Sequence, residues 1–480
     1  MTNNSLASAF WRSWLADEGV NSFDSILSWV LDRNEHTPVS IERITLDQCS
    51  PWRYDPLVGR ITNMTGSFFQ IAGLKKLRKD LQTGAEEVVA EQPVLIQDEI
   101  GYLGIIAKEF DGVIHLLMQA KIEPGNVNKV QVSPTIQATR SNFMQLHGGR
   151  RPAYLDYFLH ARDHHVVVDQ IQSEQSARFL GKRNRNVMVL VGADEEVEVL
   201  PTHMWMTLGQ VKRLMHYDNL VNMDTRTVLS CLPWAFWGKL PEGIASQLGG
   251  HGAAVAASFA AQPDLDAYNH AYDLLNDYKM FDTTSTQIVP LDSLDEWEML
   301  PGQITHKVGW PFRVIYCDIA IEGREVRRWN QPLFEAEGKA FFGLLGHVRD
   351  GRAEFLVKVH PEIGCFDRAE FGPTVQREAG IAEEPDAIER LFLDMADAGT
   401  DVSNDVVLSE EGGRFFCEQN RNVVAWIDQL PKLLRPESLP EGYLWLDLAT
   451  LNLLVRANNV LNIQLRNLIS LLDICERPVS

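Results

Sequence analysis

The second half of this 480-residue chain repeats the first, and that duplication limits the folds open to it. The segment that begins at Gln92 aligns without a gap on the segment that begins at Gln331, an offset of 239 residues. A chain of this length also exceeds the usual size of one hydrophobic core. We therefore expect two copies of one module, residues 1–235 and 285–480, separated by a connector with a helix over residues 236–284.

Each half is predicted to be an α+β module. An apolar run, the pair Asp-Gly and a second apolar run indicate a β-hairpin, because a type I′ turn needs positive φ at both central residues. This pattern occurs over residues 101–120 and again over residues 340–359. Helical spacing follows in "YLDYFLHA" and in "AIERLFLDMA".

Two polar patterns occur in both halves. The first is a stripe at steps of three and four on one helix, predicted from residue 208 to about residue 232. Its members are Asn219, Asn222, Arg226 and Ser230, repeated as Asn459, Asn462, Arg466 and Ser470. Buried hydrogen bonding between the halves or between subunits is favoured over ligand contact for this stripe. The second is the cluster Asn-Arg-Asn that begins at residue 184 and is predicted to precede a strand. A structural role and contact with a ligand shared by both halves are equally favoured for this cluster.

The Ala- and Gly-rich segment 249–264 has no counterpart in the first half by sequence, and we interpret it as part of the connector. The segment "DAYNHAYDLLNDY" that follows is predicted to be a helix rather than a flexible linker.

Composition excludes several classes of protein. A formal net charge of −21 argues against a nucleic-acid partner, whose phosphates require clustered Lys and Arg. Six scattered Cys without a CxxC pair argue against a zinc site and favour the reducing cytoplasm. The sequence shows no basic and apolar leader and no long apolar run, so neither a signal peptide nor a membrane span is expected. Phosphate-binding, serine-hydrolase and zinc-protease motifs are missing, so neither a metal nor a cofactor is predicted.

A possible pocket is indicated where the first hairpin ends. Lys121 and Glu123 lie two residues apart, on the same face of a strand that is predicted to be buried. A strand that faces water would explain this pair equally well. The loop 133–142 then supplies hydroxyl, amide and guanidinium groups with little apolar content, which suits a sugar or a phosphate.

Three stretches resemble the signature regions of the NDP-hexose 2,3-dehydratase family of deoxysugar and antibiotic biosynthesis. They are "EIGYLGIIAKEFDGVIHLLMQAKIEPGNVNKVQVSPTIQATRSNFMQLHGG", "FLGKRNRN" and "DNLVNMDTRTVLSCLP". The similarity runs along nearly the whole chain. It implies two tandem Nudix-like modules, a homodimer, and nucleotide-sugar binding in both modules.

The resemblance also implies a lyase reaction that needs no redox cofactor. The substrate would be a dTDP-linked 4-keto-6-deoxyhexose, from which loss of the C3 proton and of the C2 hydroxyl leaves a 3,4-diketo-2,6-dideoxy sugar. An epimerase or hydrolase that acts on the same nucleotide sugar is one alternative. A non-catalytic nucleotide-sugar-binding protein is the other.

Carried over position by position, the resemblance implies a set of site residues. Lys121 and Glu123 are the candidates for proton transfer, although either residue could instead only orient the sugar. The expected substrate-binding residues are Trp52, Thr135, Ile136, Gln137, Ala138, Thr139, Arg140, Ser173, Asn184 and Arg185. The expected nucleotide-binding residues of the second module are Trp297, Thr374, Gln376, Arg377, Ser409, Asn420 and Arg421. Because Lys121 is replaced by His360 and Thr139 by Glu378 in the second module, the first module is expected to be catalytic.

Overall fold

The computed structural model describes residues 3–145, 150–238, 240–241, 243–244, 248–324, 326–380 and 383–475. Within them the strands are β1 Val39–Ile44, β2 Trp52–Asp55, β3 Arg60–Asn63, β4 Gln70–Lys79, β5 Glu86–Ile96, β6 Gly101–Phe110, β7 Val113–Ile122, β8 Val130–Ser133, β9 Ile136–Ala138, β10 His165–Ser173, β11 Arg183–Leu190, β12 His203–Thr207, β13 Thr284–Val289, β14 Trp297–Leu300, β15 Gln303–His306, β16 Phe312–Ile321, β17 Arg328–Ala336, β18 Ala340–Arg349, β19 Arg352–His360, β20 Glu370–Gly372, β21 Val375–Arg377, β22 Val402–Ser409, β23 Phe415–Phe416, β24 Gln419–Trp426 and β25 Tyr443–Asp447. The α-helices are α1 Asn3–Leu15, α2 Phe23–His36, α3 Arg140–Phe143, α4 Leu155–Leu159, α5 Leu208–Leu214, α6 Met223–Ser230, α7 Trp234–Trp237, α8 Gly250–Phe259, α9 Leu265–Phe281, α10 Ala387–Ala398, α11 Leu448–Val455 and α12 Ile463–Leu471.

A mixed sheet forms the centre of each half. In the first half the strand order is β10-β11-β6-β7-β12, with β8 added to β7 and β9 added to β6. In the second half the order is β22-β24-β18-β19-β20, with β21 on β18 and β25 on β19. The hairpins β6-β7 and β18-β19 therefore occupy equivalent positions. Their turns have positive φ at Asp111, Gly112, Asp350 and Gly351, as a type I′ turn requires.

Two smaller sheets lie beside the mixed sheets, antiparallel apart from the short parallel pairing of β17 with β23, and each of them takes one strand from the other half. β1 of the first half pairs with β16, so that Val39 lies opposite Ile321. β13, at the start of the second half, pairs in turn with β4, so that Thr284 lies opposite Arg78. The halves thus exchange equivalent strands. The sequence repeat and the sheets consequently have different boundaries.

The repeat extends further toward the N-terminus of each half than the sequence indicated. Segment 249–264 contains α8, which packs on β19 as α1 packs on β7. Ser13 Oγ donates to Ile114 O, and Ser258 Oγ donates at 3.2 Å to the equivalent Ala353 O. The interpretation that this segment has no counterpart was wrong. With Ser13 matched to Ser258, Trp11 corresponds to Ala256, Phe10 to Val255 and Trp14 to Phe259, so the packing is retained while the sequence likeness is lost.

The single long helix predicted after residue 208 is two helices, α5 and α6, and the second half is divided in the same way into α11 and α12. Asn219 and Asn459 both have positive φ, a conformation that asparagine tolerates well. Asn222 and Asn462 then accept backbone N–H groups as the N-caps of α6 and α12.

The polar stripe nevertheless joins the two halves. The guanidinium of Arg226 donates to Ser409 O at 2.6 Å, and that of Arg466 donates to the equivalent Ser173 O. Both arginine side chains are fully buried. Among the described residues, no helix is long and apolar enough to cross a membrane.

Candidate active site

A cavity of about 420 Å³ lies where the first mixed sheet meets both small sheets. This volume falls in the range of small-molecule sites. The end of β7 and the loop around β9 form one wall, and residues of the second half close the opposite side. The charged residues that line the cavity are Lys121, Glu123, Glu174, Lys182, Asp224, Arg324, Glu411 and Arg414, and its polar residues include Gln137, Thr139 and Asn184.

Glu123 is the most constrained carboxylate of this cavity. Its side chain is 4% exposed, and Oε1 lies 3.2 Å from Lys121 Nζ. Gln137 Nε2 donates to the same oxygen at 3.1 Å, and Asn222 Nδ2 approaches Gln137 Oε1 at 3.5 Å. The other oxygen, Oε2, is buried without a hydrogen-bond partner among the described residues. One carboxylate oxygen is thus held in place while the other is available to a ligand.

The charge of Glu123 is set by its neighbours. Burial alone would raise the pKa of this carboxyl group, but Lys121, Arg324 and Arg414 together lower it below its ordinary value. Two of these cations, Arg324 and Arg414, come from the second half of the chain. Glu123 is therefore a buried carboxylate anion, which is the state that a general base requires.

Three other carboxyl groups at the cavity are shifted in the opposite direction. Burial raises the pKa of Glu174 to about 7, raises that of Glu411, and raises that of Asp224 well above its ordinary value. Burial and Arg414 lower the pKa of Lys182 to about 8. The cavity thus combines one carboxyl group whose pKa is lowered with others whose pKa is raised, an arrangement that suits acid–base chemistry.

Aromatic side chains form the apolar part of the cavity. Trp52 and Phe69 lie 4.6 Å apart between ring centroids, with an interplanar angle of 37°. The indole N–H of Trp52 donates to Asn330 O at 2.8 Å, which fixes the ring against β17. Trp329, from the same strand, lines the cavity from the second half. Flat faces of this kind suit the planar ring of a nucleobase.

Seven of the residues predicted from the sequence meet in this one cavity: Trp52, Lys121, Glu123, Gln137, Ala138, Thr139 and Asn184. The structure places the other five predicted residues of the first half elsewhere. Thr135 and Ile136 are buried in the core, and Arg140 is exposed at the start of α3.

The positions of the remaining residues have physical reasons. Thr135 Oγ1 donates to Leu117 O and accepts from Ile106 N at 2.9 Å, so it holds the loop against the hairpin. Ser173 Oγ donates to Glu370 in the second half at 2.8 Å. Arg185 forms a two-pronged ion pair with Asp169 across neighbouring strands. The Asn-Arg-Asn cluster lies inside β11 and β24 rather than before them, so its side chains alternate between the two faces of each sheet.

The seven predicted nucleotide-binding residues of the second half have protein partners. Trp297 donates to Glu91 O at 3.0 Å, and Gln376 donates to Glu362 at 2.9 Å. The other partners are Leu356 O for Thr374, Glu389 for Arg377, Asn219 for Ser409, Glu410 for Asn420, and Asp405 with Asp397 for Arg421.

The position in the second half that matches the cavity holds an ion pair instead. Arg178, from the first half, is 4% exposed and lies 2.8 Å from Glu378 and 3.3 Å from Glu418. Burial raises the pKa of Glu362 to about 8, and it lowers the pKa of His360 to about 4. Neither group is charged near neutral pH, in contrast with Glu123.

Sequence reasoning missed Asp224, Glu174, Lys182, Arg324 and Arg414. Asp224 lies next to the polar stripe, and the replacement of this acid by Gln464 in the second half is a signal that the sequence contains. Arg324 and Arg414 reach the cavity only through contacts between the halves, for which the sequence gives no local signal. Among the described residues, no group of three or more His, Cys, Asp or Glu side chains is arranged to hold a metal ion.

Comparison with known proteins decides the family. The sequence profile described as NDP-hexose 2,3-dehydratase matches residues 23–232 and 269–472. The chain belongs to this family. The two matched segments correspond to the two halves of the duplication.

Three relatives carry the name dTDP-4-dehydro-6-deoxy-alpha-D-glucopyranose 2,3-dehydratase. The relative from Saccharopolyspora spinosa is 40% identical over 92% of this chain and 89% of its own length. The relative from Streptomyces violaceoruber is 35% identical over 92% of this chain and 95% of its own. The relative from Amycolatopsis orientalis is 33% identical over 94% of this chain and 90% of its own length. The match to a solved ADP compounds hydrolase spans 33% of this chain and 81% of the hydrolase chain. The sequences are 18% identical over this match, and the TM-score is 0.21.

Proposed function

We propose that this protein removes water from dTDP-4-keto-6-deoxy-D-glucose to give dTDP-3,4-diketo-2,6-dideoxy-D-glucose. The membership of the chain in a 2,3-dehydratase family, along nearly its whole length, carries this proposal. The cavity supports it, since a buried carboxylate anion with one unpaired oxygen lies beside a lysine. Such a pair suits removal of a proton next to a ketone.

The reaction needs a base and a group that stabilises an enolate. The C4 ketone acidifies the C3 hydrogen, and the carboxylate of Glu123 takes that proton through its unpaired oxygen. The electron pair moves onto the C4 oxygen, where the ammonium of Lys121 opposes the developing negative charge. Return of the electrons expels the C2 hydroxyl. The resulting enol at C3 becomes the 3-ketone, and no step changes the oxidation state of a cofactor.

The rest of the cavity suits the nucleotide. Trp52 and Phe69 would cover the thymine ring, while Arg324 and Arg414 would face the diphosphate. Gln137, a side chain that also holds Glu123, would help to orient the sugar.

We also propose that each half is a Nudix-like module and that the protein is a homodimer in the cytoplasm. The duplicated mixed sheets and the family support the first statement. The homodimer follows from the resemblance to the family, and sedimentation velocity would test it. The scattered cysteines without a CxxC pair favour the cytoplasm.

The reaction is tested by incubating the protein with dTDP-4-keto-6-deoxy-D-glucose. A vicinal diketone reacts with 1,2-diaminobenzene to form a quinoxaline, whose appearance we expect only with active enzyme. Epimerisation without loss of water would instead indicate an epimerase, and release of a sugar phosphate would indicate a hydrolase. Binding without any turnover would indicate a non-catalytic binding protein.

A further inference from the structure

The loss of the C2 hydroxyl needs a proton donor, and Asp224 is distinguished from the other acids of the cavity by its surroundings. It lies in the first turn of α6, is 1% exposed and lines the cavity. Neither of its carboxyl oxygens has a hydrogen-bond partner within the described residues. A buried polar group of this kind is costly unless a ligand or a function compensates for it.

The other two protonatable acids are already engaged. Glu174 accepts a hydrogen bond from Asn184 at 2.8 Å, and Glu410 and Asn420 repeat this contact in the second half. Glu411 accepts from the guanidinium of Arg414 and from Gly413 N, both at 2.9 Å. These contacts explain the presence of Glu174 and Glu411 without any role in catalysis.

Comparison of the halves separates Asp224 from a purely structural acid. The equivalent residue is Gln464, which has a similar environment at the start of α12 and approaches Glu362 at 3.5 Å. The fold therefore accepts an amide at this position. The half with the open cavity carries an ionisable acid there, and the half closed by Arg178 does not.

We propose that Asp224 is the general acid that protonates the C2 hydroxyl as it leaves. This inference rests on the function proposed above. Asp224 donates its proton to the C2 oxygen while the C2–O bond breaks, and water departs. Glu123 has gained the C3 proton, and its transfer through solvent to the Asp224 carboxylate closes the cycle without net loss or gain of protons.

The surroundings favour the protonated form that this role requires. Burial raises the pKa of Asp224 most, and the carboxyl groups of Glu174, Glu411 and Glu123 raise it further, against the smaller effect of Lys121. Asp224 and Glu123 are therefore held in opposite protonation states in one cavity, which is the usual arrangement of an acid and a base.

The test compares Asp224→Asn with Gln464→Asn, which place the same residue at equivalent positions. For Asp224→Asn we expect loss of water to slow by about 10² to 10⁴-fold, the usual contribution of a positioned acid. Exchange of the C3 hydrogen with D₂O should stay within a few-fold of the parent, because Glu123 is intact. Gln464→Asn should leave both rates unchanged.

A second substrate isolates the proton donor. Fluoride leaves without protonation, so its departure from the 2-fluoro analogue of the substrate needs no general acid. Asp224→Asn should therefore release fluoride within about tenfold of the parent rate, whereas its rate of dehydration should fall far more. Loss of water at the parent rate would overturn the proposal, as would an equal loss of exchange, dehydration and fluoride release. If the melting temperature of Asp224→Asn is clearly lower than that of the parent, Asp224→Glu and Asp224→Gln replace this variant, since their side chains match each other in size. Equal dehydration rates for Asp224→Glu and Asp224→Gln would also overturn the proposal.

If the parent protein forms no diketone, the proposed function itself fails. If the parent forms the diketone and Asp224→Asn forms it equally fast, only the assignment of the acid fails.

Discussion

Glu123 and Glu362 occupy equivalent positions, and each accepts a hydrogen bond from an equivalent glutamine. Their pKa values nevertheless move in opposite directions. Cations from Lys121 and from the second half surround Glu123, whereas Glu362 is buried beside Glu378 and Glu370. The comparison shows that the duplicated backbone fixes where the carboxyl group lies. The residues around it decide whether that group is charged.

The largest expected effect is the loss of the base. Glu123→Gln keeps the size of the side chain and removes its charge, so we expect turnover to fall by about 10² to 10⁴-fold. Exchange of the C3 hydrogen with D₂O should fall in parallel, as measured by NMR on the substrate. Glu362→Gln is the matched control and should stay within a few-fold. Equal losses in both variants would remove the distinction between the halves.

The closed site should matter for stability rather than for turnover. Arg178→Met leaves the partly buried Glu378 and the buried Glu418 without their cation, and we expect a loss of about 3 to 5 kcal/mol in the free energy of unfolding. Denaturant titration measures this loss. Adding Glu378→Gln and Glu418→Gln to Arg178→Met should recover most of it. An unchanged unfolding midpoint in Arg178→Met would contradict the buried ion pair.

A smaller effect on activity is expected when Lys121 of the first half is replaced by histidine, the residue at the equivalent position 360 of the second half. Lys121→His removes the neighbouring ammonium, so the pKa of Glu123 should rise. Glu123 acts as an anion, so activity is present above this pKa and lost as the pH falls through it. The acidic limb of the profile of kcat against pH should therefore move to higher pH. A limb that stays in place would show that Lys121 does not set the charge of the base.

The smallest expected effect is that of a chelator. The proposed proton transfers use side chains alone, and we expect EDTA to leave turnover unchanged. Loss of activity with EDTA and recovery with a divalent cation would contradict this prediction.

Local features of the sequence predicted local features of the structure. The Asp-Gly pairs predicted both hairpins, because positive φ at two successive residues is a property of the turn itself. The spacing of Lys121 and Glu123 brought them into one cavity. In contrast, Asn219 interrupts a helix that periodicity alone continued, since the amphipathic pattern persists across the break.

Features that depend on contacts between residues far apart in the sequence were not accessible in this way. Thr135 and Arg185 have the residue types of a binding site, but a backbone carbonyl and Asp169 satisfy them. Arg324 and Arg414 reach the cavity although they lie in the other half. No spacing rule connects residues so far apart in the sequence.

The exchange of β1 and β13 constrains the order in which the protein can be built. β1 is among the first strands to leave the ribosome, while its partner β16 is more than half of the chain away. Until β16 has been synthesised, β1 has an unpaired edge, which is a template for aggregation. A truncated chain that ends between the halves would keep that edge permanently. Neither half can therefore be removed without leaving a strand of the other half unpaired, and we expect the two similar halves to unfold together.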